Sequence, residues 1–212
     1  MKKMISPSVV RRLPRYLRKL EELEKSQVTR ISSFTFGEML GQTASQIRQD
    51  FSCFGAFGQQ GYGYEVHFLK EQITQILGMD RGFKVILIGV GNIGRALIDK
   101  FVFNDWGLEL CCAFDCDPEI IGTSQNDVQI LDEQLLEQYL DENLIDIAVL
   151  CVPKTEAEPM AKRIIACGVE AIWNFTNVEI VEPNSKTIVE NLNFSDSLLA
   201  LSFFLAQRRD EV

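Results

Sequence analysis

Residues 83–96 read FKVILIGVGNIGRA, and this stretch decides the fold of the larger part of the chain. Its first half is a continuous apolar run, typical of a β-strand covered on both faces. The glycines follow as Gly89-x-Gly91-x-x-Gly94, and a helical pattern, RALIDKFVF, comes directly after them. In such a unit the glycines permit a tight turn, close approach of a pyrophosphate, and close helix packing, while the helix N-terminus offers N–H groups to the phosphates. The stretch predicts a dinucleotide-binding fold.

A carboxylate stands where such a fold needs one. The next strand-like run, LELCCAFD, ends at Asp115, 21 residues past Gly94. At this distance a carboxylate accepts hydrogen bonds from the ribose 2′-hydroxyl of an adenosine. The same charge would repel the 2′-phosphate of NADP, and no arginine follows it immediately. NADH and NAD are therefore the predicted cofactors.

Further strand and helix patterns alternate down the chain. VQIL, IDIAVLCVP, VEAIWNF and TIVEN read as strands, and DEQLLEQYLDEN and EAEPMAKRIIACG read as helices. This alternation predicts a doubly wound parallel sheet, a Rossmann domain, which binds ligands outside the carboxyl ends of its strands. Two such ends are predicted to border the cofactor, with ordinary turn chemistry as the alternative for each: Cys151-Val152-Pro153 and Asn174-Phe175.

The N-terminal part predicts a helix-turn-helix. Apolar residues between Val9 and Leu23 recur at helical spacing, and Ser33 is the predicted N-cap of a second helix that ends at Gly41. A T-x-x-Q capping box at Thr43 then opens a third helix, through about Cys53. The second helix of such a pair enters the DNA major groove. The polar residues predicted to face DNA are Ser45, Gln46, Arg48 and Gln49.

A glycine-rich aromatic segment, FGAFGQQGYGYEV, follows this predicted recognition helix. Tyr62, Tyr64 and Val66 alternate as a half-buried strand would, which makes QQG the tip of a hairpin. A hairpin at this place is a wing, so the fold predicted is a winged helix. The wing residues predicted to meet DNA are Gln59, Gln60, Gly61 and Tyr62. The alternative is a hairpin that only closes the core.

Composition narrows the class of protein. Residues 1–60 hold ten Lys/Arg against five Asp/Glu, whereas residues 81–212 hold ten against twenty-two, so a basic N-terminal part is hidden in an acidic chain. No apolar run reaches the ~18–20 residues of a membrane span, and no secretory signal pattern opens the chain. The six cysteines lack C-x-x-C spacing and His67 is the only histidine, which predicts reduced thiols, no metal and a cytoplasmic protein.

The last segment, FSDSLLALSFFLAQRRDEV, predicts a terminal helix with a broad apolar stripe formed by Leu198, Leu201, Phe204 and Leu205. The stripe could dock on its own domain or on a second chain. A partner is favoured, because DNA readers of this kind usually work as symmetric dimers on palindromic sites. The predicted division is a winged-helix domain over residues 1–80, a Rossmann domain over 81–192, and a dimerisation helix over 193–212.

The stretches RRLPRYLRKLEEL, SSFTFGEMLGQTASQIRQDFSCFGAFGQQGYGY, ILIGVGNIGRAL, AFDCDPEIIG and IAVLCVP, with the Asn174-Phe175 strand end, together resemble the redox-sensing transcriptional repressor Rex family. The resemblance implies a homodimer with a domain-swapped C-terminal helix. It also implies binding to double-stranded operator DNA when NADH is low, and release when NADH binds. It assigns the glycine loop to Gly89, Val90, Gly91, Asn92, Ile93, Gly94 and Arg95, the ribose acid to Asp115, and an aromatic beside the nicotinamide to the partner's Phe194.

Some positions depart from that family's usual pattern. Gln59 and Gln60 stand where basic residues commonly precede the wing, and Gln49 stands where a second basic residue follows Arg48. Asn177 stands where proline is common. Asn193 stands where an aspartate is usual, one that can pair with an arginine of the first helix, here best matched by Arg18. A member with weakened DNA binding or redox response is therefore an alternative.

Two other classes remain at this point. An NAD-dependent oxidoreductase needs a general acid or base near the nicotinamide. The one basic candidate is Lys154, which follows a strand end of the predicted Rossmann domain, and the chain has no substrate domain beside that fold. A CoA-binding module of similar fold is the other class. Asp115 and the N-terminal winged helix argue against it.

Overall fold

The computed structural model describes residues 5–53, 55, 58–59, 62–181 and 185–210, except for the side chains of residues 58, 59 and 210. The chain divides into two compact units, Met1–Asp80 and Arg81–Val212. Among the described residues, no helix combines the length and the apolar content that a membrane crossing requires.

The first unit is a winged helix. Its short sheet has the strand order β1-β3-β2 and both pairings are antiparallel. The elements in chain order are α1 (Pro7–Val10), α2 (Leu13–Lys25), β1 (Arg30–Ile31), α3 (Ser33–Leu40), α4 (Ala44–Ser52), β2 (Gly58–Gln59), β3 (Gly63–Glu65) and α5 (Val66–Ile76).

An aromatic centre holds these elements together. Tyr16 of α2 contacts Phe36 of α3 and Phe51 of α4 edge-on, each at 5.7 Å between ring centroids. Phe51 in turn meets Tyr64 of β3 at 4.9 Å. Edge-to-face contacts of this kind add specific attraction to the apolar area that the rings bury. They fix α4, the predicted recognition helix, against the strand that leads out of the wing.

Three local predictions in this unit were wrong. The N-cap of α3 is Ser32 rather than Ser33, because the Ser32 hydroxyl accepts the Thr35 N–H at 3.0 Å. Val66 is not part of the wing strand, because it is buried and is the first residue of α5. This helix was not predicted, since Tyr62, Tyr64 and Val66 alternate as in a strand. Gln59 does not lie at the hairpin tip, since it pairs with Gly63 in the ladder of β2 and β3.

The second unit is a Rossmann domain. Its sheet has the order β10-β9-β8-β4-β5-β7-β6, parallel throughout except for β6, which runs antiparallel to β7. Its helices and strands are β4 (Phe83–Ile88), α6 (Asn92–Lys100), a 3₁₀ helix (Phe103–Trp106), β5 (Leu108–Asp115), β6 (Ser124–Gln125), β7 (Val128–Asp132), a second 3₁₀ helix (Glu133–Leu135), α7 (Leu136–Glu142), β8 (Ile147–Leu150), α8 (Lys154–Ala166), β9 (Ala171–Asn174), β10 (Ile188–Asn191) and α9 (Phe194–Asp210).

The strand β4 separates two apolar layers. Successive side chains of a strand point to opposite faces. Ile86 and Ile88 therefore pack with α7 and α8, whereas Val85 and Leu87 pack with Ile98 of α6. The chain winds outward from β4 through β5 and β7, then returns to the other side of β4 with β8. The topological switch point, where such sheets bind ligands, thus lies between β4 and β8.

The terminal helix α9 buries nothing in the single chain. Every residue from 194 to 209 is exposed. The predicted stripe understates the apolar surface, because Leu199 (65% exposed) and Phe203 (57% exposed) stand on the face opposite Leu198 and Leu201. A helix that is apolar all round normally lies buried. In the single chain α9 therefore leaves its large apolar side chains exposed.

Candidate functional site

The three glycines of the loop after β4 have different reasons to be glycine. Gly89 has φ +94°, and a Cβ there would lie 2.8 Å from the Cys151 carbonyl carbon. A Cβ on Gly94 would lie 2.1 Å from the Gly89 carbonyl oxygen. Gly91 differs, because a Cβ there would meet no protein atom within 4 Å. The protein itself does not require glycine at position 91, which fits a loop left open for the backbone to approach a ligand.

The helix α6 begins at this open glycine. Gly91 is its N-cap, no described side chain caps it, and no acidic residue stands in its first turn. The first N–H groups of a helix have no partner within the helix, so they point to the space beside Gly91. Arg95, one turn along, donates from Nε to the Val90 carbonyl oxygen at 2.9 Å. The loop therefore carries helix N–H groups and one cation, a combination suited to a pyrophosphate.

Asp115 ends β5 and holds the same loop. Its Oδ2 accepts the Val90 N–H at 2.6 Å, and its Oδ1 accepts the Asp117 N–H at 2.9 Å. A carboxylate has about four lone-pair positions, so two accepted bonds leave capacity for the hydroxyls of a ribose. The side chain is half-buried. The predicted ribose acid thus stands beside the predicted phosphate loop.

The other predicted strand ends come to the same edge of the sheet. The Cys151 N–H donates to the Ile88 carbonyl at 2.8 Å, which sets residues 151–153 beside Gly89. Val152 is buried, and Pro153 is the N-cap of α8. Burial raises the pKa of the Cys151 thiol to about 12. This thiol stays protonated at neutral pH, so it serves as an apolar wall rather than as a nucleophile.

Asn174 and Phe175 have separate roles at the next strand end. The buried Asn174 amide accepts from the Thr176 N–H and hydroxyl at 3.0 and 2.7 Å, and donates to Asn191 Oδ1 and the Val178 carbonyl at 2.7 Å each. It therefore shapes the turn, as the alternative interpretation of this strand end had it. Phe175 packs on Trp173 at 4.6 Å, and its own chain's Phe194 lies 6.3 Å from it between ring centroids.

Most of the predicted DNA-facing residues of α4 are exposed. Ser45, Arg48 and Gln49 lie on its open side, and Arg48 donates to the Ser33 hydroxyl at 3.1 Å. Gln46 behaves differently. Thr43 accepts its backbone N–H at 3.1 Å, which confirms the predicted cap, but its side chain donates to Asp50 Oδ1 at 2.7 Å instead of completing the capping box.

Only part of the predicted wing falls within the described structure. Tyr62 is 70% exposed, beyond the paired residues of β2 and β3. The side chain of Gln59, and Gln60 and Gly61 entirely, lie outside the described residues. Arg30 of β1 donates to the Tyr62 carbonyl at 3.5 Å. Sequence reasoning missed this cation, since only the pairing of β1 with β3 brings it to the wing.

Asp50 was also missed, although it lies within the recognition helix. None of its surface is exposed. Burial opposes ionisation, but hydrogen bonds from Arg12, Tyr16 and Gln46 outweigh that effect and hold the pKa of Asp50 below its usual value. The i, i+4 spacing of Gln46 and Asp50 was the one local signal; Arg12 lies 38 residues away in sequence.

No metal site accompanies these residues in the part of the chain that the structure describes, where no group of three or more His, Cys, Asp or Glu could hold an ion. The six cysteines are free thiols. Burial raises the pKa of Cys112 to about 11. The thiols of Cys112 in β5 and of Cys151, directly after β8, are therefore packing groups at neutral pH.

Comparison with protein families gives two matches that divide the chain. Residues 4–52 match a family described as "Putative DNA-binding protein N-terminus", and residues 80–178 match one described as "CoA binding domain". The second match concerns the Rossmann-like unit.

Comparison with whole proteins covers nearly the entire chain. The redox-sensing transcriptional repressor Rex of Clostridium beijerinckii is 49% identical over 203 residues, 96% of each chain. The Rex of Clostridium acetobutylicum is 46% identical over 206 residues, covering 97% of this chain and 96% of the relative.

Two solved structures share the whole architecture. RSP in complex with β-NAD⁺ and operator DNA has a TM-score of 0.91 at 44% identity, covering 98% of this chain and 95% of RSP. RSP in complex with β-NADH has a TM-score of 0.88 at 41% identity, covering 98% and 97%. These relatives are repressors, which removes the oxidoreductase alternative: the chain is not an enzyme, and it belongs to the Rex family of redox-sensing transcriptional repressors.

Proposed function

We propose that this chain binds operator DNA through its first unit when NADH is low, and releases the DNA when NADH binds to its second unit. One observation carries the proposal: a single chain joins a winged helix to a Rossmann unit whose glycine loop is open at Gly91. RSP, which was solved with β-NAD⁺ and operator DNA, has the same architecture over 98% of this chain.

The nucleotide is assigned to the edge of the sheet between β4 and β8. Gly89 to Arg95 take the pyrophosphate through backbone N–H groups and one guanidinium, and Asp115 takes the adenosine ribose. Cys151, Val152, Pro153 and Phe175 border the other end. Asn174 acts there through the turn it holds, since its amide is already engaged within the chain.

The charge on the nicotinamide ring explains why NADH, rather than NAD⁺, should release the DNA. Phe175 is buried beside Trp173, so the predicted nicotinamide end is apolar. Moving a charge into apolar surroundings costs more than moving a neutral ring. Neutral NADH therefore occupies this end more favourably than NAD⁺ with its cationic ring. A ligand that favours one dimer geometry must weaken, by the same factor, whatever favours the other.

The DNA is assigned to α4 and the wing. Ser45, Arg48 and Gln49 occupy the open side of α4 and face base edges. The wing is assigned to the phosphate backbone of the DNA. Its contacts are the exposed Tyr62 and, as predicted from the sequence, Gln59, Gln60 and Gly61. Since a winged helix reads one half-site, two copies would read a palindrome.

A homodimer follows from two apolar surfaces of the second unit. One is α9, about 25 Å long at ~1.5 Å per residue, with its apolar side chains exposed. The other is a groove of about 270 Å³ beside the sheet, lined almost wholly by apolar side chains, among them Phe101, Phe103, Trp173 and Ile188. We assign α9 to a partner chain, with the partner's Phe194 near the nicotinamide, because exchange of the helix would cover apolar surface on both copies.

We place the protein in the cytoplasm. A repressor must reach operator DNA, and in bacteria such as the clostridia that hold the relatives the chromosome lies in the cytoplasm.

A weakened redox response is a second candidate, favoured by the residues at two positions. Asn177 has φ +58°, which a proline cannot adopt. Asn193 accepts from the Ser195 N–H at 3.1 Å and from its hydroxyl at 2.6 Å. Asn193 therefore has its acceptor oxygen engaged at the start of α9, and unlike the aspartate usual at this position it carries no charge.

Binding measurements distinguish these functions. The full chain is titrated into a fluorescent palindromic duplex, and then NADH, NAD⁺ or CoA is added. The proposed function predicts that NADH releases DNA at lower concentration than NAD⁺ and that CoA has no effect. Equal release by NADH and NAD⁺ would establish the weakened response instead. Release by CoA alone would overturn the assigned cofactor.

A further inference from the structure

The recognition helix α4 contains a charged group that no DNA can reach. Asp50 is fully buried and its two oxygens lie within hydrogen-bonding distance of three side chains. Arg12 donates from Nε to Oδ2 at 2.7 Å and from Nη2 to Oδ1 at 2.8 Å, a two-point fork. The Tyr16 hydroxyl, which also contacts the Gln42 amide, donates to Oδ2 at 2.7 Å. The Gln46 amide donates to Oδ1 at 2.7 Å.

This arrangement determines orientation more than it adds attraction. Burying an ion pair brings little net stability, because desolvation offsets the Coulomb energy. A guanidinium–carboxylate fork is nevertheless directional, since both bonds must lie in one plane. Arg12 is the N-cap of α2 and Tyr16 lies one turn into it. Asp50 therefore joins the last turn of α4 to the first turn of α2 at a polar contact within an apolar core.

The same carboxylate changes what Gln46 can do. A glutamine reads adenine with its amide oxygen and its amide nitrogen together, each on one base atom. Gln46 donates from its amide nitrogen to a buried oxygen and is itself only half-exposed. One of its two N–H groups is therefore engaged within the chain, and this bond holds the amide toward Asp50 rather than toward the open side of α4.

We propose that Asp50 is a positioning residue for DNA reading. It holds α4 at one angle on α2 and keeps the Gln46 amide turned inward, so base discrimination comes from Ser45, Arg48 and Gln49. This inference rests on the proposed function, because it concerns how the assigned surface discriminates among DNA sequences.

The first test measures specificity rather than affinity. Dissociation constants of the full-length chain are determined for a palindromic operator-like duplex and for a scrambled duplex of equal length, in the same salt. Asp50→Asn keeps the shape of the side chain but removes its charge. We expect the ratio of the two constants to fall at least about tenfold, or ~1.4 kcal/mol, with scrambled-duplex affinity unchanged because the exposed cations remain.

A merely structural role gives a different result. If folded Asp50→Asn loses both affinities by the same factor, the ratio is unchanged, and that outcome overturns the inference. Tyr16→Phe covers the case in which Asp50→Asn does not fold, since it removes one donor and keeps the ring in the core. We expect its ratio to fall roughly threefold, and an unchanged ratio in folded Tyr16→Phe contradicts the proposal.

The second test locates discrimination along the site. Each base pair of one half-site is replaced in turn, and binding of Gln46→Ala is compared with that of its matched control, Gln49→Ala. Gln46→Ala should lower discrimination slightly at all positions, because it only loosens the network. Gln49→Ala should lower discrimination at one base pair by about 5- to 150-fold, which corresponds to the 1–3 kcal/mol of a specific base contact.

The outcomes separate the two proposals. Loss concentrated at one base pair in Gln46→Ala shows that Gln46 reads a base and overturns the inference, while DNA recognition itself stands. A wild-type chain that binds operator-like and scrambled duplexes equally overturns both.

Discussion

Asp50 and Asp115 each stand at the element that would meet a ligand, one in each unit, and their surroundings are opposite. Asp50 is fully buried and bonded to the side chains of Arg12, Tyr16 and Gln46. Asp115 is half-buried and accepts two backbone N–H groups. The first carboxylate has no capacity left and can only position. The second holds its loop and can still accept hydroxyls, so the remaining hydrogen-bonding capacity separates a positioning residue from a binding one.

The largest effect is expected at Asp50, whose carboxylate has no hydrogen-bonding capacity left. Asp50→Ala leaves Arg12 without its partner, and breaking a buried pair costs about 3–5 kcal/mol of unfolding free energy. We expect a value near the lower end, because the Arg12 side chain is 28% exposed and can gain some hydration. Denaturant unfolding of the first unit measures it. The double variant Arg12→Met with Asp50→Leu should recover most of the loss, and no recovery would mean that the pair itself stabilises.

The stability of the first unit at acid pH should depend on the same carboxylate. The folded pKa of Asp50 lies below its usual value, so its contribution to stability is complete above about pH 4 and is lost as pH falls through the folded pKa. The unfolding midpoint of the first unit should therefore decline below about pH 4 in the wild type. The decline should be shallower in Asp50→Asn, and equal slopes would remove Asp50 from the acid response.

Asp115 should affect binding instead of folding. Asp115→Ala is expected to weaken NADH by roughly 1–3 kcal/mol, the range for an unmet hydrogen-bond partner, and to reduce discrimination against NADPH. Asp117→Ala is the matched control, since Asp117 stands in the same turn and caps Glu119 at 3.0 Å. Calorimetric titration measures both. Equal losses in the two variants would contradict the ribose assignment.

The smallest effect concerns the salt dependence of DNA binding, which neither Asp50 nor Asp115 should change. Replacing Gln59 and Gln60 by lysine should strengthen DNA binding with little regard to sequence, because phosphate contacts position and base contacts specify. The slope of log K against log salt should steepen by about 1.8 for two phosphate contacts. Gln134→Lys with Gln138→Lys adds the same charge to the second unit as a control. An unchanged slope in the wing variant would place residues 59 and 60 away from the DNA phosphates.

The same contrast explains what the sequence could predict. The glycine loop, Asp115 and the strand ends are local patterns, and the rules of parallel sheets bring them to one edge. Asp50 depends on Arg12, 38 residues away in sequence, and no local pattern connects them. Gln46 was predicted to face DNA because it is polar on the polar side of α4. Only the packing of α2 on α4 shows that its amide is turned inward.

Errors of detail arose where two local signals competed. Tyr62, Tyr64 and Val66 alternate as in a strand, but Val66 is buried with Leu69 and Ile73 on the inner face of α5, at helical spacing. The hairpin of β6 and β7 was missed because its turn, Asn126-Asp127, is decided by left-handed backbone at both residues, φ +49° and +65°. The full apolar circumference of α9 was readable from Leu199 and Phe203, but only a stripe was predicted.

The central claim is that the nucleotide site and the DNA site are coupled, and reciprocal binding tests it most directly. The dissociation constant of NADH is measured by calorimetry with the full-length chain alone and saturated with a palindromic operator duplex. We predict about 5- to 150-fold weaker NADH binding on DNA, with an equal loss of DNA affinity in saturating NADH, as linkage requires. NADH that binds equally well to the free and the DNA-bound protein would contradict the account.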